Sequence, residues 1–154
     1  MRNRAILSRL HIACACSATV TLVAFWSATA VAELFLSHAA VAQVKQAILL
    51  VLPAFIALIA LTGASGYALG GKGGHPLLSR KRRRMALIGA NGLLVLVPCA
   101  IFLAGRARAD AFDGIFYGAQ ALELVAGALN LALMGANIRD GVALGRGRRA
   151  RRMA

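Results

Sequence analysis

The chain has 154 residues, 60% of them hydrophobic and 15% charged, with a mean hydropathy of +0.73. A soluble domain is about 45–50% apolar and about 25% charged, so this balance argues against a water-soluble fold and for the membrane class. The 18 Lys+Arg against 5 Asp+Glu leave a net charge of +13. Where that charge falls decides whether it points to nucleic acid or to lipid.

The chain opens on Arg2, Arg4 and Arg9, followed by an apolar stretch over residues 12–32. A basic start, an apolar run and Ala30-Val31-Ala32 resemble a secretory signal with its cleavage site. Signal cores run about 7–15 residues, however, and this run is longer, so a retained membrane helix is expected. Cys14 and Cys16 lie two apart, on opposite faces of such a helix. With Cys99 they form no metal or redox spacing and read as small apolar wall residues.

Residues 33–46 read as a short loop, and residues 47–69 as a second helix with Pro53 inside it. The "GGKGGHP" stretch at 70–76 lacks phosphate-loop spacing and reads as a flexible start to the next connection. Lys72 and the run Arg80, Lys81, Arg82, Arg83, Arg84 follow. Residues 85–105 make the third helix, with Pro98 inside it, and 106–114 a second short loop. Residues 115–138 make the fourth, and 139–154 a basic tail carrying six arginines. Each apolar stretch is near the roughly 20 residues that cross a bilayer. None alternates as barrel strands do, and helices satisfy their own backbone polar groups in lipid. The expected fold is therefore all-α: one integral-membrane domain over 1–154, a bundle of four transmembrane helices.

Of the 18 basic residues, Lys45, Arg106 and Arg108 fall on one side of this topology and the rest on the other. The positive-inside rule then places both termini and the 72–84 connection in the cytoplasm. Arg80, Lys81, Arg82, Arg83 and Arg84 are expected to contact anionic lipid headgroups, and no nucleic-acid partner is expected. An Ala-, Gly- and Arg-rich composition suggests a bacterial inner membrane.

Association of helices in lipid rests on close packing and interhelical hydrogen bonds. Small residues recur every four positions at Ala24, Ala28 and Ala32, at Ala60, Ala64 and Ala68, and at Ala128, Ala132 and Ala136. These ridges are expected to be the packing faces. Thr62, Ser65 and Asn91 fall in the cytoplasmic halves of their helices, level with Asn130, and are expected to form one polar cluster.

Glu123 lies mid-way along the fourth apolar run. At 100° per residue, Gln120, Glu123, Gly127, Asn130, Met134 and Asn137 share one stripe, which should face protein. An ionised acid in the hydrocarbon costs about 2.5–3.5 kcal/mol on insertion scales. Lys45 and Arg106 are the nearest cations, and both start at the outer surface. A neutral carboxyl is therefore expected. By this topology His11 and His75 fall at the cytoplasmic edge and His38 in the outer loop, so no pair meets inside the bilayer, and no haem and no other cofactor is expected. Two functions fit: a structural or accessory bundle subunit that binds itself or a partner, and a proton-coupled transporter or channel in which Glu123 titrates.

Overall fold

A computed structural model describes residues 2–70 and 76–153. The described residues are helical throughout, apart from the turns at Leu36–Ser37 and Ala109–Asp113, and contain no strand. In chain order the elements are α1 (Arg2–Phe35), α2 (His38–Gly70), α3 (Pro76–Asn91), a π-helical turn (Gly92–Leu96), α4 (Val97–Arg108) and α5 (Gly114–Met153). Four helical stretches are long and apolar enough to cross a membrane: Asn3–Phe35, His38–Gly70, Ser79–Arg108 and Gly114–Ala143.

The helices outrun the apolar windows that predict them. Residues 33–46, expected as a loop, are helix except at Leu36 and Ser37. The segment holds no Gly or Pro, and polarity alone does not end a helix. Ser37 caps the new start of α2, its Oγ accepting from Ala40 N–H at 3.4 Å. The run Arg80–Arg84 is likewise helical, within α3, and α5 continues through the basic tail to Met153. Residues 71–75, most of the glycine-rich stretch, lie outside the described residues.

Pro53 sits inside α2 without interrupting it. Pro98 acts differently. It has no N–H to donate, and its ring crowds the carbonyl four residues back. The π-helical turn lies just before it, and Val97 N–H reaches Gly92 O across the wider ring. An inserted π turn is a common way for a helix to absorb such a defect.

The four long helical stretches form a ring in which α1 packs on α2 and α5, and the third stretch (α3, the π-helical turn and α4) packs on α5 and α2. Call the end holding both termini the basic end and the other the turn end. Near the turn end α2 lies close along α4. Toward the basic end it has much less to do with α3. The core is in two parts. Ala32, Val41, Cys99, Leu103, Ala107 and Phe116 cluster at the turn end. Ala18, Leu22, Ile88 and Met134 cluster nearer the basic end.

The expected alanine ridges mostly face outward. Ala24, Ala28, Ala60, Ala64, Ala68, Ala128 and Ala132 are all exposed, and of the nine only Ala32 is buried. Close approach is made instead at Cys14, Ala18, Ala100, Ala104, Ala107 and Ala126, which are buried. Alanine is indifferent to lipid or protein, so spacing alone cannot orient a helix. The polar groups, costly in hydrocarbon, decide the rotation.

Candidate functional site

Glu123 is nine residues past the start of α5 at Gly114, and Lys45 seven past the start of α2 at His38. At 1.5 Å per residue both lie about 10–14 Å from the turn end. Lys45 Nζ is 2.5 Å from Glu123 Oε2, forming a salt bridge inside the bundle. Only 2% of Lys45 is exposed, and the Glu123 side chain is 13% exposed. The expectation of a neutral, cation-free carboxyl therefore loses its premise. Lys45 was expected outside because residues 33–46 read as loop. As helix, Val41, Lys45, Ile48 and Leu52 fall on one buried stripe, at spacings of four, three and four.

Gln120, one turn nearer the turn end, is also buried and donates Nε2 to Glu123 Oε2 at 3.2 Å. Its Oε1 is buried without a hydrogen-bond partner, as is Glu33 Oε1 on α1. Glu33 is close enough to interact with Lys45, Glu123 and His38. The centre thus holds two carboxyl groups, one ammonium and an amide with an unused acceptor. A small cavity of about 50 Å³ borders it, lined by Glu123, Thr29, Trp26 and apolar neighbours. Its surface is almost wholly apolar, so it does not offer a water the roughly two to four polar partners one needs. The Trp26 indole N–H donates to Leu124 O at 2.9 Å, tying α1 to α5 beside the acid.

Asn130 lies on the same α5 stripe and is buried. Its Oδ1 accepts from Asn91 Nδ2 at 2.9 Å, and Asn91 also reaches Ala126 O at 2.9 Å. Asn130 Nδ2 lies 3.4 Å from Ile88 O. The structure thus joins Asn91 to Asn130, but not to Thr62 and Ser65. Those two hydroxyls turn back on their own helix, to Leu58 O at 2.8 Å and Leu61 O at 2.6 Å. The outside partner at this level is His11, whose Nδ1 lies 3.0 Å from the Ser65 hydroxyl and 3.1 Å from the Thr62 backbone carbonyl. The expected single cluster is two, because α2 stands away from α3 at this level and only α1 is close enough to meet its hydroxyls. No sequence signal singled out His11, which reads as an edge residue.

The basic run divides by helix face. Arg80 and Arg83 are exposed. The Arg82 guanidinium stacks 4.8 Å over the Tyr67 ring. Arg84 Nη1 is 2.6 Å from Asp140 Oδ2, an ion pair that fastens α3 to α5 and withdraws Arg84 from the exposed set. At the turn end, Asp113 caps α5 by accepting from Phe116 N–H at 3.0 Å, and pairs with Arg106. The hydrogen bond from Arg106, helped by that of Phe116, holds the Asp113 carboxyl below its ordinary value of 3.8. Asp110 has φ 52°, a left-handed turn conformation that Asp tolerates better than most residues. Among the described residues no His/Cys/Asp/Glu group is arranged to hold a metal ion.

Comparison with protein-family models, with curated proteins and with solved structures finds no match to this chain.

Proposed function

We propose that the protein is a structural or accessory subunit of a bacterial inner membrane, a four-span bundle that assembles with itself or a partner. In this reading both termini, the 139–154 extension and the Arg80–Arg84 segment lie in the cytoplasm, following the positive-inside rule. Arg80, Lys81, Arg82 and Arg83 contact anionic headgroups there.

The observation that carries the reading is how the intramembrane polar groups are used. Asn91 and Asn130, His11 and Ser65, Lys45 and Glu123, and Trp26 and Leu124 O each tie one span to another. Gln46 Nε2 adds a bond to Ala104 O at 2.8 Å, between α2 and α4. Polar chemistry of this kind holds helices together and leaves little to line a pathway. The outward alanine ridges offer flat surfaces on which another helix could pack. Extraction in mild detergent followed by native mass spectrometry is expected to yield a stoichiometric oligomer or hetero-complex. A strictly monomeric species would overturn the proposal.

One observation favours a second reading, the proton-coupled transporter or channel. The Lys45–Glu123 ion pair is buried in the bundle with a second carboxyl group, Glu33, within electrostatic range, and intramembrane acids of this kind commonly serve proton relays. Proton-linked flux in proteoliposomes, abolished by Glu123→Gln in a protein that remains folded, would establish that reading over the first.

A further inference from the structure

Toward the basic end α2 and α3 part, and an open groove of about 260 Å³ lies between them. Leu52, Ile59 and Gly63 form one wall, and Met85, Gly89 and Leu96 the other. Asn130 is the one polar residue lining it, and its side chain is already bonded to Asn91. From Met85 to Leu96 is about 16 Å along a helix. One leaflet of hydrocarbon is about 15 Å thick. The groove is thus an apolar slot with the length of a single leaflet.

Its mouth carries the opposite chemistry. The α3 wall continues back three residues from Met85 to Arg82, while the Lys81 ammonium turns toward Gly141 of α5. The α2 wall continues from Gly63 to Tyr67. Arg82 and Tyr67 meet there, guanidinium over ring at 4.8 Å. Arg83, one position on from Arg82, is exposed. A guanidinium is suited to phosphate oxygens and stacks on an aromatic ring without losing its charge.

We propose that this groove seats one acyl chain of an anionic phospholipid, with its phosphate held at Arg82. A transmembrane helix is about 10–12 Å across with its side chains. It would have to push α2 from α3, whereas a hydrocarbon chain needs only the flexible Met85 side chain, 3.6 Å from a Cβ built on Gly63, to swing aside. The inference rests on the membrane reading above and adds to it a specific lipid site.

The test uses the full chain in nanodiscs of mixed phosphatidylglycerol and phosphatidylcholine. Photoactivatable phosphatidylglycerol, its diazirine placed mid-chain, is expected to label residues 59–63 and 85–89 of the unaltered protein. The phosphatidylcholine analogue should label them at least tenfold less. Gly89 lines the slot, and an added Cβ there meets nothing within 4 Å, so Gly89→Leu has room to occupy it. It should abolish that labelling with the basic residues unchanged. Arg82→Gln should bring the two lipids to near-equal labelling. Labelling spread evenly around the bundle, an unchanged yield in Gly89→Leu, or a cross-linked second protein chain in the groove would each overturn the site. The membrane reading falls separately, if alkaline carbonate washing releases the protein from membranes.

Discussion

Replacing either member of the Lys45–Glu123 pair tests the centre of the bundle. At 2.5 Å and an effective dielectric constant of about 20, the attraction is about 6–7 kcal/mol. Taking each ion out of water costs several kcal/mol, so the intact pair contributes little net stability. Removing one partner is different, because the other is left charged and uncompensated, at a cost of about 3–5 kcal/mol. Lys45→Met and Glu123→Met should therefore each lower the melting temperature by about 6–20 °C, at about 2–4 °C per kcal/mol for a chain of this size. The double variant removes both charges. Its remaining cost is that of Gln120, whose Nε2 loses its acceptor, about 1–3 kcal/mol. It should melt above both single variants. Trp26 is the chain's one tryptophan and borders the same small cavity as Glu123, so its emission in detergent reports the transition. Additive losses, with the double variant melting lowest of all, would refute the pairing.

Gly127→Ala places a Cβ 2.9 Å from Trp26 Cδ1. The indole must shift, and a loss of about 1–3 kcal/mol with a changed Trp26 emission maximum is expected from thermal unfolding. Asn91→Ala removes two interhelical bonds and should cost about 1 kcal/mol, at the average of about 0.6 for each such bond in membrane proteins. Asp113 has a lowered folded-state pKa, so its stabilising effect is complete above the ordinary carboxylate range and is lost as pH falls through the lowered value. Melting curves of wild type and Asp113→Asn should differ at neutral pH and converge in acid. A constant gap down to pH 2 would contradict the cap and ion pair drawn here.

The number of long apolar helices, and the inward face of α5, follow from patterns a reader of the sequence can count. Hydrophobic length marks a span whatever its neighbours are, and Gln120, Glu123 and Asn130 share a stripe because each is costly toward lipid. What was not legible is which residues meet. Lys45 sits in a polar stretch whose helicity depends on α2 starting at His38, and that start is signalled only by Ser37. The alanine ridges misled because a small side chain carries no preference between lipid and protein. The split between the Asn91 and Ser65 clusters depends on the parting of α2 from α3, a matter of tertiary packing beyond the π-helical turn. Arg84 and Asp140 lie 56 positions apart. Their pairing needed a helical extension of α5 beyond its apolar window.

The interhelical bonds are not equivalent. Most join spans that already touch, such as α3 and α5 through the asparagines. Lys45 and Glu123 join α2 and α5, which stand across the ring from each other and whose described backbones do not approach closely. Bridging that diagonal takes reach, and Lys45 supplies four methylenes while Glu123 supplies two. Reach is thus a requirement separate from charge. Glu123→Asp keeps the carboxylate but withdraws it by one bond length, about 1.5 Å. Neither helix can follow, since α1 and α4 fill the space to either side. The shortened acid should then destabilise nearly as much as Glu123→Gln, which keeps the reach and loses the charge. A thermal shift for Glu123→Asp within about 2 °C of wild type would mean that the helices close the gap on their own, and the diagonal pair would set neither their spacing nor their rotation.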